Sequence, residues 1–178
     1  MLPSNAGSAR RRCTSGEDTV SDPPSGTGGF LLAAHQFVVD EYGKELDKDQ
    51  KKHLRTKFIS DSELVPNTAR LCIMNLYLHR IGVDADACPI RSGVDSLASD
   101  PAERVSLVLT NPPFGKKSSI SIVNEDAELE NDDSTYERTD FWVTTKNKQL
   151  NFLQHVETML KINGRCAVVV PDNGQRAV

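Results

Sequence analysis

A short apolar run, Val105–Thr110, is the segment that most constrains the fold of this chain. The run is rich in valine and leucine and too short for a typical helix, so it predicts a strand that is buried on both faces. Strand-like and helix-like segments alternate along much of the remaining sequence, with glycine turns at strand ends. This alternation predicts an α/β fold in which helices cover a parallel sheet and ligands bind at the carboxyl ends of its strands.

The predicted strand runs directly into Asn111-Pro112-Pro113-Phe114. The Asn111 side-chain oxygen and the Pro112 carbonyl can supply two hydrogen-bond acceptors at a fixed separation, because proline fixes φ and has no competing N–H. Two such acceptors suit an amino group on a ring, whose delocalised lone pair must be localised before it can act as a nucleophile. Phe114 offers a flat face for a base lifted out of its stack. Taken alone, a strand that ends in a proline turn explains the tetrapeptide equally well.

A second motif, Asp22-Pro23-Pro24-Ser25-Gly26-Thr27-Gly28-Gly29-Phe30, precedes a helix-like run over residues 31–39. A strand, a glycine turn and a helix bring backbone N–H groups and a helix N-terminus towards an anionic or carboxylate-bearing cofactor. The glycine spacing differs from Gly-x-Gly-x-x-Gly and follows an Asp-Pro pair. This favours a ligand with a positively charged amino-acid portion over a dinucleotide. A simple turn is the alternative interpretation.

Hydrophobic periodicity and turn residues predict the other elements. The predicted strands are 19–21, 57–60, 89–91 and 165–170, and the predicted helices are 29–41, 66–80 and 147–161. Residues 44–56 are a charged stretch without a predicted element, and Asn163-Gly164 is the predicted stop of the last helix. In helix 66–80, Met74 and Tyr77 are expected in the core.

Residues 116–146 are the most acidic segment of the chain, with eight acidic and four basic residues, so they account for the whole formal charge of −4. An acidic stretch without hydrophobic periodicity is typical of a solvated loop, and its length indicates a functional one. Because DNA phosphates are usually neutralised by a basic patch, this charge indicates that any affinity for DNA would come mainly from other polypeptides. Phe141-Trp142 could stack on an extruded base, although packing of Trp142 under the loop is the simpler expectation.

The composition argues against several other classes of protein. The four cysteines and four histidines are scattered, so no metal site is predicted, and reduced thiols of a cytoplasmic protein are expected. No apolar run approaches the ~20 residues that cross a bilayer, so no membrane partner is expected. Residues 1–15 are small, polar and basic, and are expected to form a disordered leader. The length suits one domain with a sizeable core.

Together, the two motifs resemble those of the amino-methylating DNA methyltransferases, most closely the adenine-N6 methylation subunit of type I restriction-modification systems. The resemblance extends from about residue 16 to residue 173. The family's glycine motif commonly reads Asp-Pro-Ala-Cys-Gly-Thr-Gly-Gly-Phe, so Pro24 and Ser25 are departures, and Pro24 could stiffen or displace the loop. The other segments that carry the resemblance are Glu63, Val65–Leu71, Met74–Leu76, Gly93–Leu97, Gly115, Asn147–Phe152 and Val168–Asn173.

The resemblance implies a class I S-adenosylmethionine-dependent methyltransferase fold, which is a Rossmann-like three-layer sheet, here incomplete at its C-terminal strands. It also implies methyl transfer from S-adenosylmethionine to adenine N6 in double-stranded DNA, with a DNA-specificity subunit and a restriction subunit as partners. The implied catalytic residues are Asn111, Pro112, Pro113 and Phe114. The implied cofactor-binding residues are Asp22, Gly26, Thr27, Gly28, Gly29, Glu63 and Asp95.

Two of these acids have more specific expected roles. Glu63, near the end of a predicted strand, can accept both ribose hydroxyls of an adenosyl group, as acids do in other nucleotide-binding sheets. A helix-capping or solvated glutamate is the alternative. By resemblance, Asp95 lies near the adenine ring of the cofactor, where its carboxylate could accept a hydrogen bond from the amino group. A turn aspartate is the alternative.

Two other functions stay open. Methyltransferases that act on a protein glutamine amide use a similar Asn-Pro-Pro motif, but usually with tyrosine at the position of Phe114. The other possibility is a truncated, non-catalytic remnant or assembly piece, because the family's upstream helical domain, its Phe-Thr-Pro-Arg segment and its C-terminal partner-binding region are missing. Residues 16–178 are therefore expected to form a partial methyltransferase domain whose last strand has an open edge and favours self-association.

Overall fold

The computed structural model describes residues 18–86, 88–113 and 136–170. The predicted leader, Phe114 and residues 116–135 of the predicted acidic loop lie outside the described residues. Within them, strands and helices alternate and confirm the α/β class. The elements are β1 (Val20–Ser21), α1 (Gly29–Tyr42), α2 (Lys48–Thr56), β2 (Asp61–Glu63), α3 (Pro66–Leu78), β3 (Ile90–Ser92), β4 (Val105–Thr110), α4 (Lys148–Met159) and β5 (Leu160–Val168).

The strands pair in parallel throughout the described part of the chain. β4 lies between β1 and β5, with Val20 opposite Leu107, and β2 pairs with β3, with Glu63 opposite Ser92. A parallel bridge from Val20 to Ile59, just before β2, joins these two groups of strands. The order across the sheet is therefore β3-β2-β1-β4-β5. It reverses between β1 and β4, which is where open α/β sheets bind their ligands.

Strand β4 is covered on both faces, as its apolar sequence predicted. Leu107 and Leu109 pack against the larger hydrophobic core, which is built from β1 and the helices α1, α2 and α3. Val108 points to the other face and packs with Val156 and Met159 of α4. Because alternate residues of a strand point to opposite faces, one strand can join two helical layers.

Helices α1 and α3 form where the sequence predicts them, within two residues at each end. α1 buries Leu31, Ala34 and Val38 along one face. α3 begins at Pro66, whose fixed φ suits the first turn of a helix. The expectation that Met74 and Tyr77 belong to the core is wrong, because both lie on the outer face of α3 and are exposed.

Helix α2 was not predicted from the charged stretch that contains it. Its start is a capping box: the Asp47 side chain accepts hydrogen bonds from the backbone N–H groups of Asp49 and Gln50, and the Gln50 side chain accepts one from the Asp47 N–H. These reciprocal bonds satisfy N–H groups that have no partner in the first turn of a helix. The cap allows a short helix that buries only Leu54 to form.

The predicted second strand lies a few residues too early. Phe58 and Ile59 are buried in the larger core, but only Ile59 forms a bridge, and the paired strand β2 is the polar tripeptide Asp61–Glu63. The three residues of β2 are all buried. Their polar side chains form hydrogen bonds near the carboxyl ends of the strands, which is why an apolar pattern does not mark this strand.

The end of the last helix was also predicted too late. α4 stops at Met159, and β5 begins at the next residue. Asn163-Gly164 therefore does not stop the helix but lies inside β5, where Asn163 has a φ of 65°. The pairing between β4 and β5 changes register in this part of the strand. Asn and Gly tolerate such a conformation, so the same dipeptide suits a bulged strand as well as a helix end.

Candidate functional site

The glycine motif forms the turn between β1 and α1. Gly28 has a φ of 84°, and its N–H donates to the Ser25 carbonyl at 2.8 Å. A Cβ atom at Gly28 would lie 2.8 Å from the Cys72 Sγ of α3, which is too close. Gly28 is therefore required both by the backbone conformation and by the approach of α3. Pro24 and Ser25, the two departures from the family motif, are accommodated in this turn, with Ser25 buried.

Helix α3 supports the glycine loop from one side. The Asn75 Nδ2 atom donates to the Thr27 carbonyl at 2.9 Å. Burial raises the pKa of the Cys72 thiol to about 11, so this side chain is uncharged at neutral pH where it packs against Gly28. The loop is thus fixed by a hydrogen bond and a packing contact to the same helix.

Glu63, at the carboxyl end of β2, is bonded directly to the loop. Its Oε2 atom accepts from the Gly26 N–H at 2.9 Å, and its Oε1 atom accepts from the Val65 N–H at 2.9 Å. Each carboxylate oxygen can accept a further hydrogen bond. The fold therefore brings together Glu63 and the glycine motif, and the carboxylate keeps the capacity to bind a hydroxyl group. Its role towards ribose stays a prediction.

Two buried carboxyl groups lie beneath the loop. The Asp22 N–H donates to one Asp61 carboxylate oxygen, and the Ser62 N–H donates to the other at 2.7 Å. Desolvation raises the pKa of Asp22 and of Asp61 to about 7. Within the described residues, the Asp22 Oδ1 atom is buried without a hydrogen-bond partner. Asp22 was predicted as a site residue, whereas Asp61 was missed because it lies in the unpredicted polar strand.

Asp95 follows β3, the strand that pairs with β2, at the same edge of the sheet as Glu63. Its Oδ1 atom accepts from the Leu97 N–H at 2.9 Å, and its Oδ2 atom accepts from the Tyr136 hydroxyl at 2.8 Å. The next residue, Ser96, donates its hydroxyl proton to the Pro23 carbonyl at 2.6 Å. Asp95 therefore belongs to a turn that is attached to the glycine motif, as its predicted role requires, although contact with a cofactor stays a prediction.

The Asn-Pro-Pro motif follows β4, and the glycine motif follows β1. Both motifs therefore begin at the same edge of the sheet. Ser21 is paired with Val108, so both strands end side by side. The Asn111 side chain is exposed, and Pro112 is buried. The Thr110 carbonyl accepts from the Val169 N–H at 2.9 Å, which fixes the start of the motif against the segment after β5. The stacking role of Phe114 stays a prediction, because this residue lies outside the described ones.

A cavity of about 520 Å³ lies next to this edge, between the sheet, the β3–β4 connection and α4. Of the predicted site residues that the structure describes, only Asp95 lines it. Asp22, Glu63 and Asn111 lie instead at or directly after the carboxyl ends of β1, β2 and β4. The predicted site is therefore this edge of the sheet, and the cavity adjoins it at Asp95, at Asp61 and at Pro23 of the glycine motif.

Comparison with known proteins agrees with the motifs and their arrangement. The model of the N-6 DNA Methylase family matches residues 9–175. The chain belongs to the N-6 DNA methylase family. This confirms the resemblance found in the sequence.

The relatives within the N-6 DNA methylase family include subunits of type I restriction enzymes. The chain is 38% identical over 161 residues to the StySPI methylase subunit of Salmonella potsdam and to the EcoKI methylase subunit of Escherichia coli strain K12. Each match covers 88% of this chain and 27% of the relative. The crystal structure of the EcoKI M protein matches with a TM-score of 0.70 and 33% identity, over 92% of this chain and 33% of that chain. The chain thus spans about a third or less of the length of these relatives.

The chain also contains a buried arginine that no sequence motif marks. The Arg138 side chain is 5% exposed and forms two hydrogen bonds to Asp140, at 3.0 and 2.5 Å. Its Nη1 atom donates to the His155 Nδ1 at 3.0 Å, and its guanidinium lies 4.2 Å from the centre of the Phe141 ring. Desolvation, followed by the Arg138 charge, lowers the pKa of His155 to about 4, so a neutral imidazole accepts this bond.

The neighbouring tryptophan is not part of this buried cluster. Trp142 is 67% exposed, so the expectation that it packs under the loop is wrong. The described residues contain no group of three or more His, Cys, Asp or Glu side chains arranged to bind a metal ion. None of the helices in the described ranges is long and apolar enough to span a bilayer.

Proposed function

We propose that this chain forms the catalytic part of a site-specific adenine-N6 DNA methyltransferase, the methylation subunit of a type I restriction-modification system. One observation carries the proposal: the glycine motif and the Asn-Pro-Pro motif leave the adjacent strands β1 and β4 at the same edge of the sheet. A loop suited to a cofactor and a pair of acceptors suited to an amine therefore lie side by side. The strand order β3-β2-β1-β4-β5 supports the class I, Rossmann-like version of the fold.

The residues at this edge fit S-adenosylmethionine. The loop at Gly26, Thr27, Gly28 and Gly29 provides a close backbone approach at the start of α1. The buried Asp22 carboxyl has an oxygen without a partner in the described residues, and a ligand ammonium group would favour its ionised form.

The two acids beside the loop fit the adenosyl portion. Glu63 keeps acceptor capacity for the ribose hydroxyls, and Asp95 for the adenine amino group. When bound, the cofactor supplies a methyl group on a sulfonium centre, which is an intrinsically good leaving group.

The chain's own contribution to the reaction is to position the target amine. The exposed Asn111 side-chain oxygen and the Pro112 carbonyl would accept hydrogen bonds from its two N–H groups, which directs the nitrogen lone pair towards the bound cofactor. Pro112 and Pro113 restrict the backbone directly after a buried strand, which holds the acceptors in place. Phe114 stacks on the extruded adenine. Methyl transfer would leave the nitrogen positively charged, and it would then lose one proton to water. Orientation and charge placement therefore carry the catalysis, without a dedicated strong base.

The proposed partners are double-stranded DNA, a DNA-specificity subunit and a restriction subunit, in the cytoplasm. The formal charge of −4 supports an assembly in which other polypeptides provide most of the contacts to DNA phosphates. The family match and the named relatives favour this function over methylation of a protein glutamine amide.

Calorimetric titration of the purified chain with S-adenosylmethionine tests the cofactor part of the proposal. Saturable binding that is lost on heating the chain above its unfolding transition would support it. A folded chain that binds no cofactor would contradict it and favour the non-catalytic alternative. Adenine methylation of DNA by the assembled system, with and without the Asn111→Ala substitution, tests the reaction itself.

A further inference from the structure

We propose that Tyr136 is a positioning residue of the cofactor site, which fixes Asp95 as the acceptor for the adenine amino group. The inference rests on the proposed function and adds to it a residue that neither sequence motif contains. It also gives the buried Arg138 a structural role, because Arg138 holds the segment that contains Tyr136.

The Asp95 carboxylate is held by one donor on each oxygen. The Leu97 N–H donates to Oδ1 at 2.9 Å, and the Tyr136 hydroxyl donates to Oδ2 at 2.8 Å. Two donors on opposite oxygens fix the rotation of the carboxylate, while each oxygen keeps a lone pair for another donor. Asp95 is partly exposed, so a ligand can reach it. Without Tyr136, the bond from Leu97 would be the one that remains to this carboxylate among the described residues.

The position of Asp95 along the sheet edge indicates which part of the ligand it meets. Glu63 ends β2, and Asp95 follows β3, which is the next strand outward from the glycine loop. A nucleoside whose ribose binds Glu63 therefore extends its base towards β3. The bond from Ser96 to the Pro23 carbonyl, at 2.6 Å, attaches the Asp95 turn to the glycine motif.

Arg138 holds the Tyr136 segment against the same turn. Its Nη1 atom lies 3.4 Å from the Leu97 carbonyl, which accepts from it, and 3.0 Å from the His155 Nδ1 of α4. The segment thus contacts the turn at two points, through Tyr136 to Asp95 and through Arg138 to Leu97. Since it belongs to the connection that follows the Asn-Pro-Pro motif, the base end of the cofactor site is built partly by that connection.

The test compares two ligands in the full chain and its Tyr136→Phe variant. The first is S-adenosylhomocysteine, and the second is S-inosylhomocysteine, whose 6-oxo group cannot donate a hydrogen bond to Asp95. Tyr136→Phe is expected to weaken S-adenosylhomocysteine binding by about 3- to 10-fold, the effect of one lost hydrogen bond. Binding of S-inosylhomocysteine should be unchanged. Tyr77→Phe, the same change on the exposed outer face of α3, is the matched control.

A second variant, Asp95→Asn, is expected to reduce the preference for the adenine ligand while leaving the Tm within a few degrees of wild type. Unchanged S-adenosylhomocysteine affinity in Tyr136→Phe would overturn the inference. An equal loss of affinity for both ligands, or an unfolded variant, would also overturn it, because Tyr136 would then be only structural. If the wild-type chain binds neither ligand, the proposed function itself fails. The two failures are therefore distinguishable.

Discussion

The Glu63 carboxylate accepts a hydrogen bond from the Gly26 backbone N–H at 2.9 Å. This contact joins the end of β2 to a loop that lies 37 residues earlier in the chain. Glu63, which is proposed to bind the ribose of the cofactor, therefore also holds the loop that would surround the methionine portion. A substitution at Glu63 should affect both parts of the site.

Glu63→Ala is expected to weaken S-adenosylmethionine binding by roughly 1–3 kcal/mol, the range for lost charge-assisted hydrogen bonds. Calorimetric titration measures this directly, with Glu41→Ala on the exposed face of α1 as the control. Glu63→Gln keeps one acceptor oxygen and should fall between Ala and the wild type. Wild-type affinity in a folded Glu63→Ala variant would show that the carboxylate does not contact the ligand.

Gly28→Ala is expected to lower the free energy of unfolding for two separable reasons. The left-handed conformation costs a residue with a Cβ about 1–2 kcal/mol, and the new Cβ must also displace the Cys72 Sγ from 2.8 Å. Adding Cys72→Ala should remove only the clash with the sulfur and restore that part of the unfolding free energy. A double-mutant cycle, measured by urea unfolding, should therefore give a nonzero coupling energy between the two positions. Gly29→Ala is the control, since a Cβ there has no neighbour within 4 Å. Strict additivity would contradict the packing argument.

Asn111→Ala is expected to abolish adenine methylation by the assembled system while leaving cofactor binding within severalfold. The reason is that Asn111 is exposed after β4, whereas the proposed cofactor residues lie on the loop after β1 and at the ends of β2 and β3. Gln36→Ala removes an amide from the outer face of α1 and should retain activity. Substantial methylation by the Asn111 variant would refute the assignment.

The stability of the chain is expected to include a pH-dependent contribution from His155. Its pKa falls from 6.5 to about 4 on folding, because the imidazole is buried and lies beside Arg138. Between these two pH values the unfolded chain binds more protons, so this contribution rises with pH and is complete above about 6.5. It is lost as the pH falls towards 4, by an amount on the order of 3 kcal/mol.

Urea unfolding of the wild type and of His155→Gln at several pH values isolates this contribution. The buried carboxyls Asp22 and Asp61, whose pKa values are raised on folding, titrate in both proteins and cancel in the difference. The difference in unfolding free energy should increase from pH 4 to pH 6.5 and then level off. A difference that does not vary with pH would show that His155 is not held neutral by its surroundings.

The purified chain is expected to self-associate through β5. Among the described residues, this strand pairs only with β4, and most of its side chains are exposed, including Ile162 at 94%. Such an edge can pair with another chain. Ile162→Lys should shift the sedimentation profile towards the monomer, whereas Val83→Lys, an exposed valine outside the sheet, should not. A wild-type chain that stays monomeric at high concentration would contradict the prediction.

The parts of the fold that could be predicted from sequence are those with local signals. The apolar pattern of Val105–Thr110 and the glycine turn before α1 place two strands and a helix correctly. β2 was misplaced because Asp61–Glu63 is polar, and its burial depends on partners that lie far away in the chain. The α2 capping box at Asp47 and Gln50 was a readable signal that hydrophobic periodicity alone does not detect.

The candidate site was predictable to a similar extent. Asp22, Glu63, Asp95 and Asn111 were selected from motifs, and the fold brings them to one edge of the sheet. Tyr136 could not be selected, because its contact with Asp95 spans 41 residues and no local pattern marks it. Nothing in the sequence around Arg138 distinguishes a buried cation from a solvated one, since burial is decided by the packing of α4.

The pairing of β1 with β4 also has a consequence for the synthesis of the chain on the ribosome. β1 is near the N-terminus, yet its ladder partner lies more than eighty residues later, at Leu107 opposite Val20. Non-local pairing of this kind forms slowly because a long loop must be closed first. Pulsed hydrogen exchange during refolding should therefore show late protection of Val20 and Ser21. The strand that leads into the glycine loop, although encoded early, is therefore paired with β4 only after residues 105–110 have emerged.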